Sequence, residues 1–193
     1  MANIIRETSR GFETLNLEDD FLSKRKIFLV DAINADTSNE IIKQLMYLEC
    51  EDDKKEITLY INSPGGEVIS GLAIYDYIQL MKAPVKTVCI GTAASMAGIL
   101  FLSGKKREMY EHTRVMLHDP SYANGDISGK KSHEIKHELD KLDEVRQTIA
   151  EIVSQKTGRT LEEVYEVTAE DTYFNVQEAI DFGICTGMVK KNI

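Results

Sequence analysis

Residues 91–98 (GTAASMAG) restrict the folds open to this chain more than any other stretch. An apolar, β-branched run at 85–90 precedes them and apolar residues follow at 99–102, which predicts a strand, a tight turn and a helix. Small residues surround Ser95, so its hydroxyl would stand clear at the start of the helix, beside backbone N–H groups. That arrangement suits a nucleophilic serine. It also suits an ordinary helix N-cap in a turn whose small residues let the helix pack closely on a sheet.

Two other predicted strands end at residues that could form a site. Residues 62–66 (NSPGG) follow the predicted strand 57–61, and their glycine pair allows positive φ and close approach of a ligand. Such a turn can bind phosphate, but no GxGxxG or Walker sequence accompanies it, which disfavours a nucleotide site. His118 follows the predicted strand 114–117, at the edge where open α/β sheets bind their ligands. A hydrogen-bonded histidine that only caps the strand end is the alternative.

Strand and helix patterns alternate along the whole chain. They predict strands at 26–30, 57–61, 85–90, 114–117 and 187–189, and helices at 37–50, 68–81, 96–103, 130–156, 160–167 and around 178–180. Thr37 with Glu40 and Thr160 with Glu163 have the spacing of capping boxes, and Gly158 is a predicted C-cap of the long charged helix. The alternation predicts an α/β fold of βαβ units, and a length of 193 residues favours one domain.

The composition indicates which classes of partner are disfavoured and which cellular compartment suits the protein. The formal net charge of −9 and the isoelectric point near 5.0 disfavour binding to nucleic acid or to an anionic membrane, and the basic cluster at 105–107 is interpreted as an exposed turn. The three cysteines form no CxxC pair, which is typical of a reducing compartment. Residues 1–7 lack the pattern of a signal peptide, and the apolar run at 93–102 is too short to span a bilayer. We therefore expect a soluble, cytoplasmic protein.

A literal HExxH motif at 133–137 raises the alternative of a zinc peptidase, in which both histidines bind the metal and the glutamate is the base. The surrounding residues are charged, and Lys136 lies between the two histidines, where its positive charge would oppose a cation. The pattern indicates a solvated helix face rather than the enclosed site that a metal needs. We therefore expect no metal.

The chain resembles the Clp protease proteolytic subunit (ClpP) family along nearly its whole length. The motifs that carry the resemblance occur in the family's order: 59–66 (LYINSPGG), 93–96 (AASM), 114–120 (RVMLHDP) and 171–174 (DTYF), with further matches at 8–11, 26–29 and 178–183. The resemblance implies a crotonase-like α/β fold of repeated βαβ units with a protruding handle helix, and the activity of a serine endopeptidase with no cofactor of its own.

Site residues follow from the resemblance, motif by motif. Ser95 matches the family's nucleophile, His118 the general base and Asp171 the group that orients the base. The backbone N–H groups of Gly66 and Met96 match the oxyanion hole. An extended substrate would lie as an added strand along a further set of matched residues, which are Gly65, Gly66, Val68 and Gly125.

The resemblance also implies an assembly. Residues 1–20 would be an N-terminal axial arm, and 21–193 a single peptidase domain whose handle, at about 121–157, interlocks two seven-membered rings into a closed tetradecamer. An AAA+ Clp unfoldase would use ATP to feed unfolded proteins into the chamber, either of a homo-oligomer or of rings shared with a paralogue. The positions that match the family's docking site for this ATPase are Tyr60, Leu80, Val88, Ile90 and Tyr110.

Some positions depart from the family pattern, and other functions stay open. Asp119 follows His118 where glutamine is common, Glu170 precedes Asp171 where arginine is usual, and Thr58 occupies a docking position that is often aromatic. These changes bear on ring association and partner choice. The alternatives are a crotonase-type acyl-CoA enzyme, which would use the same fold to polarise a thioester, and a catalytically weak structural ring subunit that partners an active paralogue.

Overall fold

A computed structural model describes residues 3–8, 11–121 and 129–190. The strands are β1 Asn3–Thr8, β2 Gly11–Asn16, β3 Lys26–Leu29, β4 Ile57–Ser63, β5 Val85–Ala94, β6 Lys106–Met109, β7 Arg114–Leu117, β8 Thr172–Phe174 and β9 Gly187–Met188. The helices are α1 Leu17–Ser23, α2 Ala35–Glu51, α3 Val68–Leu80, α4 Met96–Leu102, α5 Ser132–Thr157, α6 Leu161–Thr168 and α7 Val176–Phe182. The alternation of strands and helices predicted from the sequence is confirmed.

The main sheet branches at β5. Parallel pairing gives the order β3-β4-β5-β6-β9, and β7 pairs in parallel with the end of β5, beyond the part that pairs with β6. The short strand β8 then pairs antiparallel with β7. Because parallel neighbours need crossover connections, helices separate most of these strands and cover the sheet. This mostly parallel α/β sheet confirms the predicted fold class, and its branch brings the ends of β5, β7 and β8 together.

Helix α4 shows why residues 91–98 are small. All seven of its residues, Met96–Leu102, are buried, so the helix lies inside the protein rather than on its surface. A Cβ at Gly98 would come within 2.9 Å of the Met116 carbonyl oxygen. Larger residues would therefore push α4 away from β7, and the close packing that the sequence suggested is present.

Several local predictions change in the structure. Helix α2 begins two residues before Thr37, because the Asn34 side chain accepts a hydrogen bond from Thr37 N at 3.0 Å and Thr37 Oγ1 accepts one from Asn34 N at 2.9 Å. Thr37 is thus the third residue of its capping box, and the predicted pair with Glu40 is wrong. The predicted box at Thr160 and the predicted C-cap at Gly158 are confirmed.

The basic cluster at 105–107 is not a turn. Lys106–Met109 forms strand β6, which pairs with β5 and β9. The Arg107 guanidinium donates to carbonyl oxygens that end two helices, among them Gly183 O at 3.1 Å and Lys156 O at 3.3 Å. Burial of this guanidinium lowers its pKa, but the carbonyl oxygens accept hydrogen bonds from its N–H groups. The positive charge of Arg107 therefore helps to hold these segments together.

Two further segments are not part of the main sheet. Strands β1 and β2 form an antiparallel hairpin, and α1 begins at Leu17, inside the segment predicted as an arm. In α5 the buried residues are Ile149, Ala150 and Val153, all in the C-terminal half of the helix. The N-terminal half of α5 is therefore mostly exposed in the single chain.

No helix in the described ranges 3–8, 11–121 and 129–190 combines the length and the apolar character needed to cross a membrane.

Candidate active site

Ser95 lies at the junction of β5 and α4 in a strained backbone conformation. Its φ of 54° and ψ of −126° are unusual for a residue with a side chain. The conformation is held on both sides, since Ser95 N donates to Met116 O at 2.9 Å and Ser95 O accepts from Gly98 N at 2.9 Å. A strained serine at a sharp strand-to-helix turn is typical of a nucleophile whose hydroxyl must be exposed to substrate.

Sheet register brings His118 to Ser95. Strands β5 and β7 are parallel with Ala94 beside Met116, so the residues that follow both strands leave the sheet together. His118 Nε2 lies 2.8 Å from Ser95 Oγ, which is hydrogen-bonding distance. In the tautomer that carries its proton on Nδ1, the ring accepts the serine proton at Nε2, as a general base must.

The antiparallel pairing of β7 and β8 brings Asp171 to the other side of the imidazole. Leu117 pairs with Thr172, so His118 and Asp171 are the next residues along the two strands. His118 Nδ1 lies 3.3 Å from Asp171 Oδ1, and the Asp171 side chain is 62% exposed. The three side chains that the resemblance selected are therefore in contact in one chain. The Nδ1–Oδ1 contact is longer than a typical N–H···O hydrogen bond.

The glycine pair after β4 packs closely against the turn that carries Ser95. A Cβ at Gly65, whose φ is 92°, would lie 2.6 Å from Ala94 O and 2.9 Å from Ser95 Cβ. Gly66 forms a parallel bridge with Ile33, in which Ile33 N donates to Gly65 O and Glu67 N donates to Ile33 O, both at 2.8 Å. In a parallel bridge of this type the N–H of the central residue faces the opposite side.

Two backbone donors therefore remain near the Ser95 hydroxyl. Within the described part of the chain, no backbone hydrogen bond engages the N–H of Gly66 or of Met96. Ser63 stabilises the turn that presents Gly66, because its buried hydroxyl donates to Asp31 O at 2.6 Å and accepts from Gly65 N at 3.1 Å. Ser63 and Ile33 were not among the site residues predicted from the sequence. Only the burial of a serine inside the NSPGG turn could have suggested such a role for Ser63.

Ser95 and His118 line two clefts, which also share Val68 and Pro120. One is a small, mainly apolar pocket of about 30 Å³, lined in addition by Val68, Met96, Ile99, Leu117, Pro120, Ile149, Val153 and Thr168. The other is an open cleft of about 430 Å³, lined in addition by Ile33, Asn34, Gly66, Glu67, Val68, Pro120 and Ser121. The apolar lining of the small pocket suits an apolar side chain, whereas the open cleft is bordered by the glycine turn and Ser121.

The remaining predicted residues have varied surroundings. Leu80 and Tyr110 are exposed, with relative exposures of 85% and 43%, and Tyr60 and Ile90 are half-buried. Val88 is buried, so its side chain supports neighbouring residues and offers no surface of its own in the single chain. Gly125, predicted beside the substrate, lies outside the described residues.

The HExxH histidines lie away from this site. His133 and His137 are exposed on α5. Across residues 3–8, 11–121 and 129–190, no three or more His, Cys, Asp or Glu side chains are grouped so that they could hold a metal ion.

Comparisons with known proteins converge on one family. A family model described as Clp protease matches residues 9–192. The chain is 36% identical over 190 residues to "ATP-dependent Clp protease proteolytic subunit 2" of Synechococcus sp. (strain CC9605), covering 97% of this chain and 94% of that protein. It is 37% identical, with the same coverage, to "ATP-dependent Clp protease proteolytic subunit 1" of Synechococcus sp. (strain CC9902). A subunit 2 from Parasynechococcus marenigrum (strain WH8102) is 36% identical.

Proposed function

The chain belongs to the Clp protease family, and on that premise we propose that Ser95 is the nucleophile of a serine endopeptidase, with His118 as general base and Asp171 as the group that orients the base. Membership makes the chain a serine-type peptidase of the proteolytic-subunit type, active in protein degradation. The acyl-CoA enzyme and the weak structural subunit are not favoured. The observation that carries the assignment of residues is the 2.8 Å contact between Ser95 Oγ and His118 Nε2.

The geometry supports the following sequence of steps. His118 Nε2 takes the hydroxyl proton as Ser95 Oγ attacks the peptide carbonyl carbon, and Asp171 stabilises the imidazolium that forms. The N–H groups of Gly66 and Met96 donate to the negative oxygen of the tetrahedral intermediate. The imidazolium then gives its proton to the leaving amine. Water, activated by the same His118, attacks the Ser95 ester and releases the second product.

The cleft favours an extended, sequence-tolerant substrate. Backbone along Gly65, Gly66 and Val68 lies beside Ser95, where a substrate strand could pair through main-chain hydrogen bonds. Gly125 would be the partner on the other side of the substrate. The apolar pocket around Ile99 accepts a small apolar side chain next to the scissile bond.

The assembly follows from the same family. The relatives are named as proteolytic subunits of an ATP-dependent protease, which points to a ring oligomer that works with Clp ATPases. Seven-membered rings would stack into a tetradecamer through α5, whose N-terminal half is exposed in the single chain. An AAA+ Clp unfoldase, which alone consumes ATP, would dock beside Leu80 and Tyr110 and pass unfolded protein to rings of this chain or of this chain with a paralogue. The hairpin at the N-terminus would line the axial pore.

Active-site labelling tests the assignment. A fluorophosphonate should label the parental protein at Ser95, and Ser95→Ala and His118→Ala should each lower turnover of a short fluorogenic peptide by orders of magnitude. Sedimentation velocity should show the parental assembly in both variants, since neither side chain is needed for packing. Near-parental turnover by either variant, once trace contamination is excluded by mass spectrometry, would refute the triad.

A further inference from the structure

Asp119, which directly follows His118, is held by three hydrogen bonds. Its Oδ2 accepts from Arg146 Nε at 2.6 Å, and its Oδ1 accepts from Thr168 Oγ1 at 2.6 Å. Its backbone N–H donates to Thr168 O at 2.7 Å. The Asp119 side chain is only 28% exposed, so these charge-assisted bonds are shielded in part from water.

These bonds lie on the far side of the His118–Asp171 contact from the β-ladder. The ladder of β7 and β8 ends at the pair Leu117 and Thr172. Beyond that pair, the next connections between the two segments are the bonds from Asp119 to Thr168. His118 and Asp171 therefore lie between two connections, the β7–β8 ladder on one side and the Asp119–Thr168 hydrogen bonds on the other. We call the Asp119–Thr168 hydrogen bonds the outer tie. Neither His118 nor Asp171 takes part in either connection.

Arg146 anchors the outer tie to the rest of the protein. It projects from α5, and its guanidinium carbon lies 4.5 Å from the centroid of the Tyr165 ring on α6. A guanidinium stacked on an aromatic ring presents its Nε donor in a fixed direction, which a lysine ammonium does not reproduce. The Asp119 carboxylate thus joins the strand end that carries His118 to both α5 and α6.

Resting on the proposed function of Ser95 and His118, we propose that Asp119 is a positioning residue for the triad. Held by Arg146 and Thr168, it keeps His118 Nδ1 against Asp171 and Nε2 against Ser95, although it touches neither substrate nor the reacting atoms. The 3.3 Å His118–Asp171 contact is already long, so release of the outer tie separates these two groups further. The cost then falls on the chemical step rather than on substrate binding.

The test uses the full-length protein and compares Asp119→Ala, Arg146→Ala and the double variant. We expect each single variant to lower kcat for a short peptide, and the rate of Ser95 labelling by a fluorophosphonate, by about 10-fold to 100-fold, with KM changed less than about 3-fold. The double variant should be no slower than the slower single variant, because both remove one connected unit. Additive losses would overturn the proposal.

Milder variants keep the test decisive if an alanine variant folds poorly. Asp119→Asn retains an oxygen that accepts from Thr168 but presents an amide donor to Arg146. It therefore removes only the bond to Arg146. Arg146→Lys keeps the charge and should recover part of the kcat lost in Arg146→Ala. Folding and assembly are followed by circular dichroism and sedimentation velocity. A kcat loss that appears only with dissociation of the assembly would contradict a positioning role.

A matched ion pair provides the control. Lys86 Nζ and Glu108 Oε2 are also 2.6 Å apart, and their side chains are 23% and 26% exposed, compared with 38% and 28% for Arg146 and Asp119. Lys86 lies near the start of β5, about 30 Å along the strand from Ser95. Lys86→Ala with Glu108→Ala should leave kcat within about 2-fold. An equal loss in this variant would show a general effect of stability and would overturn the proposal.

Labelling of the parental protein separates the two hypotheses. If the fluorophosphonate does not label parental Ser95, the proposed function fails. If parental Ser95 is labelled and the Asp119 variants are labelled at the same rate, only the positioning role of Asp119 fails.

Discussion

Replacing Gly65 by alanine should lower both kcat/KM and the stability of the protein. The loss of kcat/KM should exceed that caused by a destabilising substitution elsewhere in the chain. Gly65 has a φ of 92°, a conformation that costs a residue with a Cβ about 1–2 kcal/mol. The new Cβ would also lie 2.6 Å from Ala94 O, 2.9 Å from Ser95 Cβ and 3.0 Å from Met96 N. The substitution therefore acts on the turn that carries the proposed nucleophile and one oxyanion donor.

The size of both effects can be worked from that contact. Ordinary contact with a Cβ begins near 3.4 Å, so the glycine turn and the Ser95 turn must separate by about 0.8 Å. Overpacking of this kind costs about 1–3 kcal/mol, which with the backbone term destabilises the protein by about 2–5 kcal/mol. Because a misplacement near 1 Å lowers rates by about 100-fold, we expect kcat/KM for a short peptide to fall by a factor of that order.

Gly158→Ala is the matched control for this substitution. Gly158 caps α5 with a φ of 77°, and a Cβ there would meet nothing within 4 Å. It should cost about 1 kcal/mol and leave kcat/KM within about 2-fold. The assays are peptide turnover, fluorophosphonate labelling of Ser95, and urea unfolding at one fixed protein concentration. Parental kcat/KM in Gly65→Ala, or equal losses in both variants, would refute the reasoning.

Two other predictions concern groups outside the triad. A chelator should leave peptide turnover intact, and the pair His133→Ala with His137→Ala should be active, because both side chains lie on an exposed helix face; stoichiometric zinc with chelator-sensitive turnover would contradict this. A thiol reagent should modify Cys50 alone in the native protein at neutral pH, since Cys50 is exposed whereas burial raises the pKa of the other two thiols; fast modification of all three before unfolding would contradict it.

Local patterns in the sequence were enough for the architecture and for the turn that carries Ser95. Apolar periodicity predicted most of the strands and helices, and the small residues around Ser95 predicted a tight strand-to-helix turn. Such predictions succeed because periodicity records which face of an element is buried, and that information lies within a few consecutive residues. The Thr160 capping box succeeded for the same reason, since all of its partners are local.

Predictions failed where a second segment decides the outcome. Residues 105–107 look like an exposed basic turn, yet pairing with β5 and the carbonyl oxygens around Arg107 make Lys106 and Arg107 part of strand β6. The helix with Thr37 is a different case, because its cap, Asn34, is local: both Asn34 and Thr37 are residue types that cap helices, and the pattern selected the wrong one. At Lys106 and Arg107 the local propensity is weak, and hydrogen-bond partners in other segments override it.

The choice of Asp171 marks the limit of the sequence most clearly. The chain contains 32 acidic residues, and nothing local distinguishes Asp171 from the others, so only the resemblance selected it. In the structure the antiparallel register of β7 and β8 places it opposite His118, and Asp119 adds a second tie through Thr168. Strand register and side-chain ties join residues that are distant in the chain. The chain must fold before they meet, so tertiary structure alone determines which carboxylate faces the imidazole.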